Sequence, residues 1–227
     1  MTTAATPEST TPQATTVRED LDFSEWLEKH GRTAAIIGIS LVVLAAAVWL
    51  FLASGRRKEA FAAADLARAR ATAESGNLPL AASDLTRLSE RFGGTRAGDE
   101  AVVLLNQIRL LQGQRDVAVT SLQEFVRTGA NDDAKASAYG LLAGGLEDQG
   151  NYREAAEAYR QASQLAKVDF LRAGYLLEAG RTFALAGDTA AARTAYGDVL
   201  TRYDSLDQAA EARVRLGEIG GTVPTRN

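Results

Sequence analysis

Gly150-Asn151-Tyr152-Arg153-Glu154-Ala155 has three counterparts: Gly76-Asn77-Leu78-Pro79-Leu80-Ala81, Gly113-Gln114-Arg115-Asp116-Val117-Ala118 and Gly187-Asp188-Thr189-Ala190-Ala191-Ala192. Each glycine stands 37 residues after the last. Nine residues past each glycine is a large side chain (Leu85, Leu122, Tyr159, Tyr196), and twelve past it are Leu88, Phe125, Ala162 and Val199. A fixed period of this length marks a repeat architecture, in which each unit is one supersecondary element that buries its apolar face only against its neighbours.

Each unit reads as two helices joined at the glycine phrase. In the third, the pattern predicts a helix over 136–149, a tight turn at Gly150-Asn151 and a second helix over 152–167. Glycine supplies a left-handed turn conformation cheaply, and Asn or Asp beside it can cap the following helix. Ala81, Ala118, Ala155 and Ala192 recur because the second helix can approach the first closely only where its side chain is small, while Leu85, Leu122, Tyr159 and Tyr196 fill the space one turn on. Turns and helix starts between units are expected at Gly93-Gly94-Thr95, Thr128–Asp132, Val168-Asp169-Phe170 and Tyr203-Asp204-Ser205. Asn131, Asp132 and Asp133 read as a helix start rather than a calcium loop, whose Gly and distal Glu are missing. Gln208–Ile219 matches the first helix of a fifth unit and would cap the stack with a polar face. The expected fold is all-α: four 37-residue helical hairpins plus a capping helix over 57–220.

The chain before this array has a different composition. Residues 1–17 are nearly all Thr, Ala, Pro, Ser and Gln, too poor in apolar groups to offset the entropy of ordering, and read as a disordered tail. Residues 18–32 interleave Leu21, Phe23, Trp26 and Leu27 with charges, as an amphipathic juxtamembrane segment does. Thr33–Ser54 carries no charge, and as a helix it is about 33 Å long at about 1.5 Å per residue, enough to cross a hydrocarbon layer about 30 Å thick. Arg56, Arg57 and Lys58 stop it abruptly. The run is longer than a signal peptide's apolar region and lies too far from the start, so it reads as an uncleaved transmembrane helix. Ala34 and Gly38 form a small-x-x-x-small step suited to close approach of another membrane helix. Residues 221–227 read as a disordered C-terminus.

Arg18, Lys29 and Arg32 precede the span, and Arg56, Arg57, Lys58, Arg68 and Arg70 follow it. The positive-inside rule would put the array in the cytoplasm, but long domains are translocated despite such charges, so charge alone leaves the side open.

The composition excludes several kinds of chemistry. There is no Cys, and the sole His is His30. Zinc sites, Ser-His-Asp arrangements and Cys-His pairs lack their parts, and the glycines are single turn markers rather than a phosphate loop. No cofactor, metal or catalytic residue is expected. A net charge of -4 disfavours nucleic acid as a partner, and nothing points to a small-molecule substrate.

The phrase completed by Gly150, Asn151, Tyr152, Ala155, Tyr159 and Ala162 resembles the second half of a tetratricopeptide repeat, with Tyr139, Leu142, Ala143 and Leu146 in the large-large-small-large places of its first half. The likeness has departures: no unit has the usual terminal Pro, the period exceeds the common 34, and Asn106 and Arg109 replace a small and a large residue. A narrower likeness covers residues from about Asp20 to Gly220. The layout, together with Phe23-Ser24-Glu25-Trp26-Leu27-Glu28-Lys29-His30-Gly31-Arg32, resembles the YfgM-like ancillary subunits of the bacterial Sec translocon.

That resemblance implies an inner-membrane protein with a cytoplasmic N-terminus and periplasmic repeats. Its partners would be the Sec translocon, periplasmic folding factors and exported chains, with a scaffold or chaperone-like role. The alternative is an adaptor for another envelope assembly, in cell division or outer-membrane biogenesis, whose repeat domains end in phrases like Ala210–Gly217. Tetratricopeptide arrays bind protein segments on a concave wall of first helices. The matching positions are Leu66, Arg70, Val103, Gln107, Leu110, Leu111, Glu147, Leu177, Arg181 and Leu185. Leu110, Leu111 and Leu185 serve either binding or packing between units, and Gly140, Gly144 and Gly174 either admit a ligand backbone or let helices pack closely.

Overall fold

A computed structural model describes residues 23–222. The tail 1–17, the start of the juxtamembrane stretch and residues 223–227 lie outside the described residues. Among those described there are helices and turns and no strand. In order they are α1 (Phe23–Glu74), α2 (Leu78–Arg91), α3 (Arg96–Leu111), α4 (Arg115–Thr128), α5 (Asp132–Asp148), α6 (Tyr152–Leu165), α7 (Asp169–Leu185), α8 (Thr189–Arg202) and α9 (Asp207–Glu218). The chain divides into two units, Met1–Leu52 and Ala53–Asn227.

In the first unit, the large apolar side chains from Ile36 to Leu52 are 51–77% exposed. Exposing such side chains to water forgoes about 1.5–3 kcal/mol each, so a helix clad in them needs an apolar surround. It is long and apolar enough to cross a membrane. The sequence reading separates a juxtamembrane helix from the span, whereas α1 runs unbroken from Phe23 through Gly31, Gly38 and Gly55. A single helical glycine costs about 1 kcal/mol relative to alanine, too little to break a helix on its own.

The second unit is the repeat array. The end of α1 pairs with α2, α3 with α4, α5 with α6 and α7 with α8, and α9 stands as the half-unit expected after them. Each hairpin turns on its phase-marking glycine: Gly76, Gly113, Gly150 and Gly187 have φ of 86°, 76°, 78° and 76°, where a side chain would be strained. The next residue donates its N–H to the carbonyl five places back (Asn77 to Thr72, Gln114 to Arg109, Asn151 to Leu146, Asp188 to Phe183), which closes a Schellman motif. That same residue is the N-cap of the second helix. Asn77 and Asp188 also cap with their side chains, accepting from the N–H of Leu80 and Ala191, but Gln114 and Asn151 do not. The Asn151 amide turns back to Gln149 instead, 3.4 Å away. Helix bounds in the third unit are shifted by up to four residues from expectation: Asn131 accepts from the N–H of Asp133 and Ala134 and so starts α5 earlier.

The small positions Ala81, Ala118, Ala155 and Ala192 are all 0% exposed, so there is no room for a larger side chain where the two helices of a hairpin meet. Leu85, Leu122 and Tyr196 are fully buried. The apolar core falls into three groups, over α1–α3, over α4–α6 and over α6–α9. Tyr159 packs against both the second and the third group.

Hydrogen bonds tie neighbouring units together at both ends of the stack. Where the first helices begin, Glu59 accepts from the backbone N–H of Arg96 and Ala97 at 2.8 and 3.0 Å. Asp99 does the same for Ala130 and Asn131, Lys167 pairs with Asp133 at 2.9 Å, and the Gln208 amide donates to the Phe170 carbonyl. At the glycine turns, Arg115 pairs with Asp148 and Arg153 with Asp188, at 2.8 and 2.9 Å.

Candidate functional site

The 37-residue register brings the expected wall residues into rows. Leu66, Val103, Gly140 and Leu177 occupy one position of successive first helices, and Arg70, Gln107, Gly144 and Arg181 the position one turn on. The first row is largely structural. Leu66 and Leu177 are 4% and 8% exposed, inside the first and third core groups. A Cβ on Gly140 would lie 2.8 Å from the Tyr175 ring, so that glycine admits the neighbouring helix, while Gly144 and Gly174 face open space. The second row faces outward: Arg70 and Gln107 are exposed and Arg181 is half-buried.

Arg70, Val103 and Gln107 come together in a groove of about 350 Å³ across α1, α3 and α5, which Leu104, Asp133 and Ser137 also line. Arg70 is held there by Glu100 at 2.7 Å, and Arg96 approaches the other oxygen of the same carboxylate at 3.2 Å. The groove therefore presents an apolar strip flanked by paired charges and a free-standing amide. A surface of this chemistry is suited to side-chain contacts with an extended chain rather than to selection of one charged group. Leu110, Leu111 and Leu185 lie outside this groove's lining. Leu110 is half-buried beside Gly145, and Leu111 and Leu185 are 71% and 53% exposed near the glycine-turn end.

Glu147 and Arg181 form a separate polar cluster between α5 and α7. Arg181 donates to both Glu147 oxygens at 2.8 and 2.9 Å and to Glu178 at 2.7 Å, and the Thr182 hydroxyl donates to Glu147. Burial pulls the guanidinium pKa down, but the bonds to the two carboxylates outweigh it and hold Arg181 above its usual range. The Tyr159 and Tyr175 rings stack beside them, centroids 6.5 Å apart. Burial, with Glu147 and Glu178 adding to it, pushes the Tyr159 phenol up to about 12, and burial raises Tyr175. A cation bonded to two carboxylates and two phenols kept neutral make a cross-strut between units. Arg181, Glu147, Glu178 and Thr182 are committed to one another by these bonds.

Sequence reasoning missed Glu100, Leu104, Ser137 and Glu178. The register held the signal: Glu100 and Ser137 are one period apart, and Leu104 and Glu178 two. Among the described residues no three His, Cys, Asp or Glu side chains gather as a metal site would require.

Residues 24–220 match the family model described as a tetratricopeptide repeat-like domain. No curated protein matches the chain.

Proposed function

The chain belongs to the tetratricopeptide repeat-like domain family, and from that premise we propose that it is a single-pass, membrane-anchored scaffold that holds protein segments on the face of its first helices. Domains of this family generally mediate protein–protein interactions. The observation that carries the reading is the groove across α1, α3 and α5, where Val103 and Leu104 give an apolar floor beside Arg70 and Gln107. A client segment would lose little by sequence change, because the groove offers area more than directed hydrogen bonds.

We further propose that the scaffold serves export at the Sec translocon of a bacterial inner membrane, with its N-terminus cytoplasmic and its repeats periplasmic, and steadies exported chains together with periplasmic folding factors. The phrase from Phe23 to Arg32 ahead of a single span supports this. No bond is made or broken in this role; binding alone does the work.

The test places a photo-crosslinking residue at Gln107, in the full-length chain in native membranes. Adducts with translocon subunits or exported chains are expected, reduced by Val103→Asp. Adducts confined to a cell-division or outer-membrane biogenesis assembly would overturn the Sec assignment and leave the adaptor reading standing.

A further inference from the structure

The end of the array at which α3, α5, α7 and α9 begin carries an apolar patch that the core does not use. Val168, Phe170 and Leu171 are 56%, 59% and 46% exposed. The repeat pattern does not require them. At the position of Phe170 the other units have Glu59, Arg96, Asp133 and Asp207, and at that of Leu171 they have Ala60, Ala97, Ala134 and Gln208. One unit carries two large, exposed apolar residues where each of the others has a charge followed by Ala or Gln.

The tether and the charges around the patch indicate what covers it. Arg56, Arg57 and Lys58 close the apolar stretch, and the next residue, Glu59, caps the start of α3. From there the bonds of Asp99 to Ala130 and Asn131, Lys167 to Asp133 and Gln208 to Phe170 continue along the same end of the array. The chain therefore enters the array at the end that bears the patch. The glycine-turn end is farther off: the 16 residues from Glu59 to Glu74 rise about 24 Å at about 1.5 Å each. Two of the carboxylates beside the patch are matched, Asp133 by Lys167 and Asp169 by Arg172.

We propose that Val168, Phe170 and Leu171 form a second membrane contact, seating their side chains at the boundary between headgroups and acyl chains of the bilayer that holds the anchor. This rests on the reading of residues 33–54 as a span. Apolar side chains at that depth bind in proportion to the area they bury. The contact would give the array a second point of attachment to the bilayer besides the anchor.

The chain has no cysteine, so single cysteines can carry an environment-sensitive fluorophore without background. The full chain is reconstituted in vesicles of phosphatidylethanolamine and phosphatidylglycerol containing a lipid-borne nitroxide at headgroup depth or at mid-chain. Phe170→Cys should lose fluorescence several-fold to the headgroup nitroxide. Leu111→Cys, equally apolar but at the glycine-turn end, should be nearly unaffected, and Leu44→Cys should respond to the mid-chain nitroxide. Phe170→Cys behaving like Leu111→Cys while Leu44→Cys is quenched would overturn the patch and spare the anchor. An unquenched Leu44→Cys would overturn the anchor and the patch with it. A label at Ala130→Cys leaves the patch intact: its quenching should fall when Phe170 and Leu171 are both changed to Asp. If it persists, the tether alone explains the proximity and the proposal fails. Helical circular dichroism on each variant confirms folding.

Discussion

The array has two seams between core groups, and they differ in the side chain buried at each. Between the second and third groups stands Tyr159, whose ring packs against both and stacks on Tyr175. Between the first and second, within the α3/α4 hairpin, stands Asn106, 0% exposed, with Val102 and Val103 of α3 packed against the second group beside it. Its amide donates to the Val102 carbonyl and the Ser121 hydroxyl, each at 2.9 Å, and its oxygen accepts from Arg109 at 3.1 Å. Both side chains hold their units in register, but an aromatic bridge adds apolar burial across the seam. A satisfied buried amide contributes little net stability and is costly to disturb. The comparison teaches that a repeat protein can be continuous in its backbone pattern while its cohesion varies from joint to joint. The α1–α3 block is the one expected to open first.

The largest test removes the bridge. Tyr159→Ala should cost about 3 kcal/mol, the low end for an aromatic truncation because the ring is only half-buried, and should split urea unfolding monitored by circular dichroism into two steps. A single transition of unchanged slope would mean that the third group never depended on the ring. At the polar seam, Asn106→Ala should cost about 1–3 kcal/mol, since it strands the Ser121 hydroxyl and the Arg109 guanidinium. Adding Ser121→Ala should recover part of that loss. Strictly additive costs in this double-mutant cycle would show that the two side chains do not couple.

The smallest effect is a dependence on alkaline pH. The Tyr159 phenol titrates at about 12 in the folded chain, above its ordinary 10.0. Its contribution is therefore complete below pH 10 and is lost as the pH rises toward 12, because the unfolded chain ionises first. Thermal melts from pH 9 to 11.5 should show stability declining with a slope that Tyr159→Phe reduces. Tyr175 and Tyr196 are raised by burial as well, so some slope should remain.

Much of the fold was legible because its determinants are local. A left-handed turn demands glycine, a close helix contact demands alanine, and both recur on a fixed count. The departure at Asn106 was visible too, although its meaning was not. The amide is satisfied by Ser121 on the next helix, and which polar group will face it depends on how α4 settles against α3. At Gly180, which shares that register position, a Cβ would lie 2.5 Å from the Tyr196 ring; the glycine exists to admit a partner sixteen residues away. The candidate wall was harder to read for a related reason. Periodicity gives the face of a helix but not the depth of each side chain, so Leu66 and Leu177, on the same rows as Val103, sink into the core. The links from Glu59 to Arg96 and Ala97 join residues more than thirty places apart and leave no mark on a local pattern.

The three-residue glycine turns have a consequence for how such a molecule can change in size. Because Gln112, Gly113 and Gln114, like Gln149, Gly150 and Asn151, close one helix and open the next with nothing to spare, a single inserted residue there would disrupt both. A whole copied module would reproduce every joint. The length of this protein is thus free to vary in steps of one repeat and resistant to anything finer, like a ladder that is extended only by the rung.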